Sequence, residues 1–306
     1  MEKQFIQWLE ENHSTSQSPV RGGIGDDAAI LLSDGEVVVA TDSIADGTHF
    51  LLEQHSLTQI GHKAIAVNLS DLAAMGAKPL AATVNFTCPK SFELTEVKEL
   101  FSGIASTAKQ YGVQIIGGDT NRWDGKLVVG VTVFGTMHLE TVSDFWRMDG
   151  AKAGDAILVT GTLGGSIARK HIEFQPRVSA AKYLFENHQV NAATDITDSL
   201  AIDLAAVAIK SNCGFQIDTQ SIPISEDAET LARETGRIAL DHALYDGEDF
   251  ELLLAVGEAE AEKIVAEQNC GCPITCIGKF DSSGKFMIIN EDNSELAELK
   301  IEGFIH

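Results

Sequence analysis

Short β-branched segments alternate with long helical ones along this chain, and that alternation restricts the fold more than any other feature. Glu36 to Thr41 reads as a strand, Leu57 to Met75 as a helix rich in alanine and leucine, Ala81 to Phe86 as a strand and Thr95 to Tyr111 as a helix. Val113 to Ile116 and Lys126 to Gly135 follow as strands. A change of composition over His138 to Gly150 reads as a boundary. Beyond it, Ala156 to Thr160 is a strand entering the glycine turn Gly161 to Gly165. Helices are expected at Ser179 to Asn187, Leu200 to Lys210 and Asp227 to Thr235, the last with Gly236 as its C-cap. Strands are expected at Phe215 to Asp218, Glu251 to Val256, Ile274 to Phe280 and Lys285 to Asn290. A chain of 306 residues exceeds the size at which one core usually stops growing. The expectation is therefore an α/β (α+β) protein of two domains, 1–138 and 139–306, with no internal repeat.

Aspartates cluster at glycine-rich or strand-ending positions in this pattern: Gly25-Asp26-Asp27, Thr41-Asp42, Asn68 to Asp71, Gly117-Gly118-Asp119-Thr120 and Asp195 to Asp198. Each alone could mark a turn. As a set they suit Mg²⁺, a hard cation that prefers oxygen ligands and is held by one or two carboxylates together with substrate phosphates. Thr41-Asp42 and Gly117-Gly118-Asp119 fall just past the expected strand ends, where α/β sheets place ligands.

A net charge of −23 argues against nucleic acid, which requires a basic footprint, and against docking on anionic lipid. The segment Met1 to His13 reads as a short amphipathic helix without the basic start and apolar core of a leader, and no run of 18 apolar residues occurs. A cytoplasmic location is expected. The five cysteines, an odd number without a regular framework, suit reduced thiols. Cys270, Cys272 and Cys276 form a C-x-C-x₃-C cluster beside an expected strand, with no evident fourth ligand for a metal.

Neither the P-loop signature nor the protein-kinase segments are present. The segments G-I-G-D-D-A-A (23 to 29), A-T-D-S-I-A-D-G-T-H-F (40 to 50), A-V-N-L-S-D-L-A-A-M-G-A-K-P (66 to 79), I-I-G-G-D-T (115 to 120), G-A-K-A-G-D-A-I-L-V-T-G (150 to 161) and D-G-E-D-F-E-L (246 to 252) resemble the thiamine-monophosphate kinase family. That family belongs to an ATP-dependent superfamily with aminoimidazole ribonucleotide synthetase and selenophosphate synthetase. The resemblance runs in consistent order from about residue 20 to the C-terminus.

The resemblance implies transfer of the γ-phosphoryl group of ATP to thiamine monophosphate, with several Mg²⁺ ions as cofactors, in a homodimer paired through the N-terminal sheet. It implies metal ligands at Asp27, Thr41, Asp42, Asp71, Asp119, Asp195 and Asp198, with Asp27, Asp42, Asp71 and Asp119 at the catalytic centre. Gly118, Asp119, Arg147 and Thr197 would contact ATP, and His49, Glu248 and Phe304 the thiamine phosphate. The chain departs from the family pattern where Thr197-Asp198-Ser199 replaces S-D-G, where Met148 takes the place of an arginine with Arg147 one residue earlier, and in a shorter stretch between Gly165 and Pro176. The alternatives are another ATP-dependent enzyme of the superfamily, or a non-catalytic nucleotide or metal binder. A selenophosphate synthetase would carry a reactive cysteine near the N-terminus, whereas the first cysteine here is Cys88.

Overall fold

The computed structural model describes residues 2–13, 20–22, 30–32, 35–136, 145–289 and 296–303. The chain divides into two units, one made of 1–72 and 77–137, the other of 73–76 and 138–306.

The first unit carries α1 (Glu2–His13), β1 (Val20–Gly22), β2 (Ile30–Leu31), β3 (Val38–Ala45), α2 (Leu57–Ala74), β4 (Lys78–Pro89), α3 (Leu94–Gln110), β5 (Gln114–Trp123) and β6 (Val128–Thr136). β1 and β2 form an antiparallel pair, and the main sheet has the order β3-β6-β4-β5. Its outer pair β4/β5 is parallel, and the other pairings are antiparallel. Alternation along β6 buries Val129, Val131 and Val133, and along β4 it buries Val84, Phe86 and Cys88. These residues form one apolar face, as the period of two requires. Phe5 of α1 is sealed between Phe86 and Phe101. α2 and α3 approach each other to backbone contact because both carry glycine at the crossing. A Cβ on Gly61 would lie 2.2 Å from the Leu100 carbonyl oxygen, and one on Gly103 would lie 2.1 Å from that of Thr58.

The second unit contains β7 (Ala156–Thr160), α4 (Lys170–Glu173), α5 (Val178–Asn187), β8 (Ala192–Asp195), α6 (Leu200–Lys210), β9 (Gly214–Asp218), α7 (Glu226–Thr235), α8 (Ala239–Tyr245), β10 (Leu252–Val256), α9 (Glu258–Glu267), β11 (Ile274–Asp281), β12 (Phe286–Ile289) and β13 (Leu296–Glu298). Its seven strands run in the order β13-β12-β9-β11-β7-β10-β8. All pairings are antiparallel except β12 with β9. Every residue of β7 and β10 is buried, so both faces of the sheet centre are covered. On one face Ile157, Val159, Leu253 and Ala255 pack with Leu200, Leu204 and Ala208 of α6.

The expected α/β elements are present, with shifted ends. The main correction concerns β3 and β5, which run on through Thr41-Asp42 and through Gly117-Gly118-Asp119, so that Asp42 and Asp119 sit inside strands rather than past them. The glycine pair reads as a strand end, but it answers to close packing of backbones. A Cβ on Gly118 would lie 1.8 Å from the Val84 carbonyl oxygen, and β5 slips register just before it, at Ile116, between the pairs Ala82–Ile115 and Thr83–Gly117. A glycine in a strand often marks a bulge or a close approach of this kind.

Candidate active site

In the first unit the sheet aligns Asp42 on β3, Val131 on β6, Val84 on β4 and Gly118 on β5 in one row across the strands, with Asp119 one step further along. The Asp119 carboxylate accepts from the Thr120 backbone N–H at 2.9 Å and from the Asn121 side-chain amide at 2.6 Å. Thr41 bonds through Oγ1 to Thr132 Oγ1 at 2.9 Å. Asp71 is half-buried on α2, beyond the buried Asn68 and Ser70. Asp42 and Asp119 are exposed and, among the described residues, neither is ion-paired to a lysine or arginine. Exposed carboxylates of this kind, with oxygen lone pairs available and no ion-pair partner among the described residues, fit a hard divalent ion. No group of three histidine, cysteine, aspartate or glutamate side chains is gathered closely enough to hold a metal among the described residues. Asp27 lies outside the described residues.

His49 is set by the loop after β3. Its Nδ1 accepts from the Ala45 backbone N–H at 3.1 Å, which leaves the ring proton on Nε2. Its carbonyl oxygen accepts from Lys63 Nζ at 2.8 Å, and Lys63 is fully buried. Burying a lysine requires hydrogen-bonded partners, and here one partner is the backbone of His49, a candidate site residue.

In the second unit two segments far apart in sequence are joined backbone to backbone. Glu248 N–H donates to the Thr197 carbonyl at 2.7 Å, Phe250 N–H to that of Ile196 at 2.8 Å, and Ile196 N–H to that of Glu251 at 2.8 Å. Within this pairing Gly247, Glu248 and Phe250 sit at positive φ of 75°, 52° and 51°. For Glu248 and Phe250 this conformation costs roughly 1–2 kcal/mol each. Asp195, Thr197, Asp198 and Glu248 are thereby brought into one neighbourhood.

The turn at 197–199 is held by Asp203, whose Oδ2 accepts the backbone N–H groups of Thr197, Asp198 and Ser199 at 2.9, 3.1 and 3.2 Å. Burial pushes the Asp203 carboxyl up to about 7 in spite of these donors, and the neighbouring Asp198 and Asp195 add to the rise. Ser199, at the position of the family glycine, caps α6 by accepting from Ile202 N–H and donates its own hydroxyl to the Glu302 carbonyl at 2.9 Å. A Cβ on Gly303 would lie 2.5 Å from the Asp198 carbonyl oxygen, so the C-terminal segment reaches the same turn. Phe304 itself lies outside the described residues. Arg147 is turned onto Asp149, with bonds of 2.9 and 2.7 Å, and its carbonyl accepts from Ala193 of β8. The Arg147 hydrogen bond holds the Asp149 carboxyl below the usual range.

Behind the paired segments lies an ionic cluster that sequence reasoning missed. Buried Glu251 receives both arms of Arg177 at 2.5 and 2.6 Å, Lys170 Nζ at 2.7 Å and the Thr160 hydroxyl at 2.7 Å. Beside it, Asp249 Oδ1 accepts from Gly164 N–H at 2.9 Å, while Oδ2 is buried without a hydrogen-bond partner. Burial pushes the Asp249 carboxyl up to about 7, against the pull of Lys170. The motif D-G-E-D-F-E-L was visible in the sequence, but its Asp249 and Glu251 do structural duty under the loop that presents Glu248.

Residues 25–137 match the family model described as AIR synthase related protein, N-terminal domain, and residues 152–289 match AIR synthase related protein, C-terminal domain. The two matches define a two-domain protein of the AIR-synthase-related class. The chain is similar to the thiamine-monophosphate kinase of Rhodopirellula baltica, at 40% identity over 91% of this chain and 89% of the relative. Its fold matches the crystal structure of thiamine-monophosphate kinase from Stenotrophomonas maltophilia with a TM-score of 0.78 and 31% identity, covering 92% of this chain and 94% of that one. It also matches AaThiL complexed with AMPPCP and TMP, with a TM-score of 0.74 and 24% identity over 87% of this chain and 85% of that one. The chain belongs to the thiamine-monophosphate kinase family.

Proposed function

We propose that the chain transfers the γ-phosphoryl group of ATP directly to the phosphate of thiamine monophosphate, giving thiamine diphosphate and ADP. The observation that carries this reading is 40% identity to a thiamine-monophosphate kinase over 91% of the chain. The metal ligands would be Asp27, Thr41, Asp42, Asp71, Asp119, Asp195 and Asp198. Mg²⁺ bound there would offset the repulsion between the two phosphate groups and favour in-line geometry.

The protein's own groups supply position. Gly118 lets β5 lie against β4 so that Asp119 stands beside the backbone that would meet ATP, and Thr197 offers a hydroxyl at the turn braced by Asp203. Arg147, now on Asp149, can exchange that carboxylate for a phosphate oxygen, since both accept a bidentate guanidinium. His49, Glu248 and Phe304 would receive the thiamine phosphate, the aromatic ring by stacking or cation–π contact with the thiazolium. The incoming phosphate is already deprotonated near pH 7, so no general base is required.

Two coarser features accompany the reading. The sheet face opposite α1–α3 carries Val39, 56% exposed, and would pair two copies into a homodimer. No helix among the described residues is long and apolar enough to cross a membrane, and we place the enzyme in the cytoplasm. The test is ADP release from Mg²⁺ and ATP with and without thiamine monophosphate. Release that depends on thiamine monophosphate supports the proposal, and equal release in both mixtures overturns it.

A further inference from the structure

The loop from α9 to β11 carries a pair of thiols that the proposed phosphoryl transfer does not use. Its base is closed by Gln268, whose side-chain Oε1 accepts from Ile274 N–H at 3.0 Å and whose Nε2 donates to the Ile274 carbonyl at 2.8 Å. Inside this clamp stands Cys270-Gly271-Cys272. Gly271 has φ +85°, a conformation that glycine adopts without strain. The turn there brings the two sulfurs to 3.7 Å, and Cys270 Sγ also lies 3.1 Å from the Cys272 carbonyl oxygen. A disulfide spans about 2.05 Å, so the two sulfurs have still to close from 3.7 Å.

The charges around the pair are unequal. The hydrogen bond from Cys272 and, against burial, the Arg177 guanidinium hold the Cys270 thiol below the usual range. The Cys272 thiol is pushed up by the same hydrogen bond and by burial. One sulfur is thus favoured as thiolate, the reactive form, with a second thiol in contact to resolve the product. The loop is also tied to the interior, because the Pro273 carbonyl accepts from Gly161 N–H at 2.8 Å and Arg177 binds Glu251.

We propose that Cys270 and Cys272 form a reversible redox site, closing to an intramolecular disulfide on exposure to a hydroperoxide. Cys270 thiolate attacks the peroxide oxygen, the O–O bond breaks, and the sulfur becomes a sulfenic acid while the leaving hydroxide takes up a proton. Cys272 then attacks the Cys270 sulfur, forms the S–S bond and expels the hydroxyl as water. Two thiols lose two protons and two electrons, hydrogen peroxide becomes two waters (an organic hydroperoxide one water and the alcohol), and a dithiol reductant restores the pair. The exposed Cys276 and the buried Cys88 stand outside the reaction.

The experiment treats the full-length protein with hydrogen peroxide, blocks remaining thiols and maps the peptides by mass spectrometry. Cleavage after Lys263 and Lys279 leaves all three nearby cysteines on one fragment, so the assignment is made in Cys276→Ser as well as in the unaltered protein. The expected result is loss of two hydrogens in that fragment in both proteins, reversed by dithiothreitol. In Cys272→Ser, a sulfenic-acid reagent such as dimedone should label position 270. In Cys270→Ser, neither disulfide nor label at position 272 should form. Absence of the disulfide from Cys276→Ser, or labelling of Cys272 in Cys270→Ser at the rate of Cys270 in Cys272→Ser, overturns the proposal.

Discussion

The backbone N–H of Glu248 donates to the carbonyl oxygen of Thr197 at 2.7 Å, and this bond joins the loop proposed to meet the thiamine phosphate to the turn proposed to meet ATP. Gly247 makes the contact possible. It sits at φ +75°, and a Cβ there would lie 2.6 Å from the Asp198 carbonyl oxygen and 2.7 Å from that of Thr197. Gly247→Ala should separate the two segments, lowering kcat/KM for thiamine monophosphate by roughly tenfold or more, since a misplacement of about 1 Å costs on the order of 10²-fold. Steady-state kinetics on the folded variant check this, and unchanged kcat/KM would show that the pairing does not serve the site.

Asp249 offers a pH test. Its carboxyl is raised from 3.8 to about 7 by burial, so the folded protein holds a proton there that the unfolded chain gives up at lower pH. A raised folded value stabilises below the unfolded pKa and loses that contribution as pH rises through the folded one. Stability relative to Asp249→Asn, which keeps the shape without the titration, should therefore fall between about pH 4 and pH 8 by on the order of a few kcal/mol. Denaturant melts across that range check the trend. A constant difference between the two proteins contradicts an Asp249 that is protonated in the fold.

How much of this was legible beforehand depends on the range of the interaction. β7 and α6 were readable to the residue because an apolar run and a helical period of alanine and leucine are local signals, and Gly236 capped α7 at φ +78° as expected. β8, Ala192–Asp195, was missed because its sequence Ala-Ala-Thr-Asp carries little β-branched character, its burial being imposed by β10. The cluster at Glu251 was out of reach for another reason. Its partners Arg177 and Lys170 lie 74 and 81 residues away, and no periodicity links them. Gly118 misled in the opposite sense: the glycines were read as a strand end, where the structure uses them for approach to Val84.

Ser199 tests a departure from the family pattern. It caps α6 and tethers Glu302, so Ser199→Ala should lower stability by about 1–3 kcal/mol from the lost cap and hydrogen bond together. Because the tether holds the segment leading to Phe304, KM for thiamine monophosphate should rise while kcat changes little. Thermal melts and paired kinetics check both. An equal rise in KM for ATP would instead point to collapse of the Thr197 turn.

For the proposed metal ligands, Asp71→Asn and Asp119→Asn should each lower kcat by orders of magnitude with the fold intact, because neutralisation of transition-state charge contributes at least several kcal/mol. Circular dichroism and turnover at saturating Mg²⁺ check this. Near-normal turnover in either variant would remove that residue from the ligand set.

The central claim is direct phosphoryl transfer between two bound phosphates, and it is tested by following the label from γ-³²P ATP in the presence of Mg²⁺ and thiamine monophosphate. The account predicts that the label reaches thiamine diphosphate in equal amount with ADP, with no labelled protein on the path. Label released only as inorganic phosphate, or held on the protein before reaching product, would contradict it.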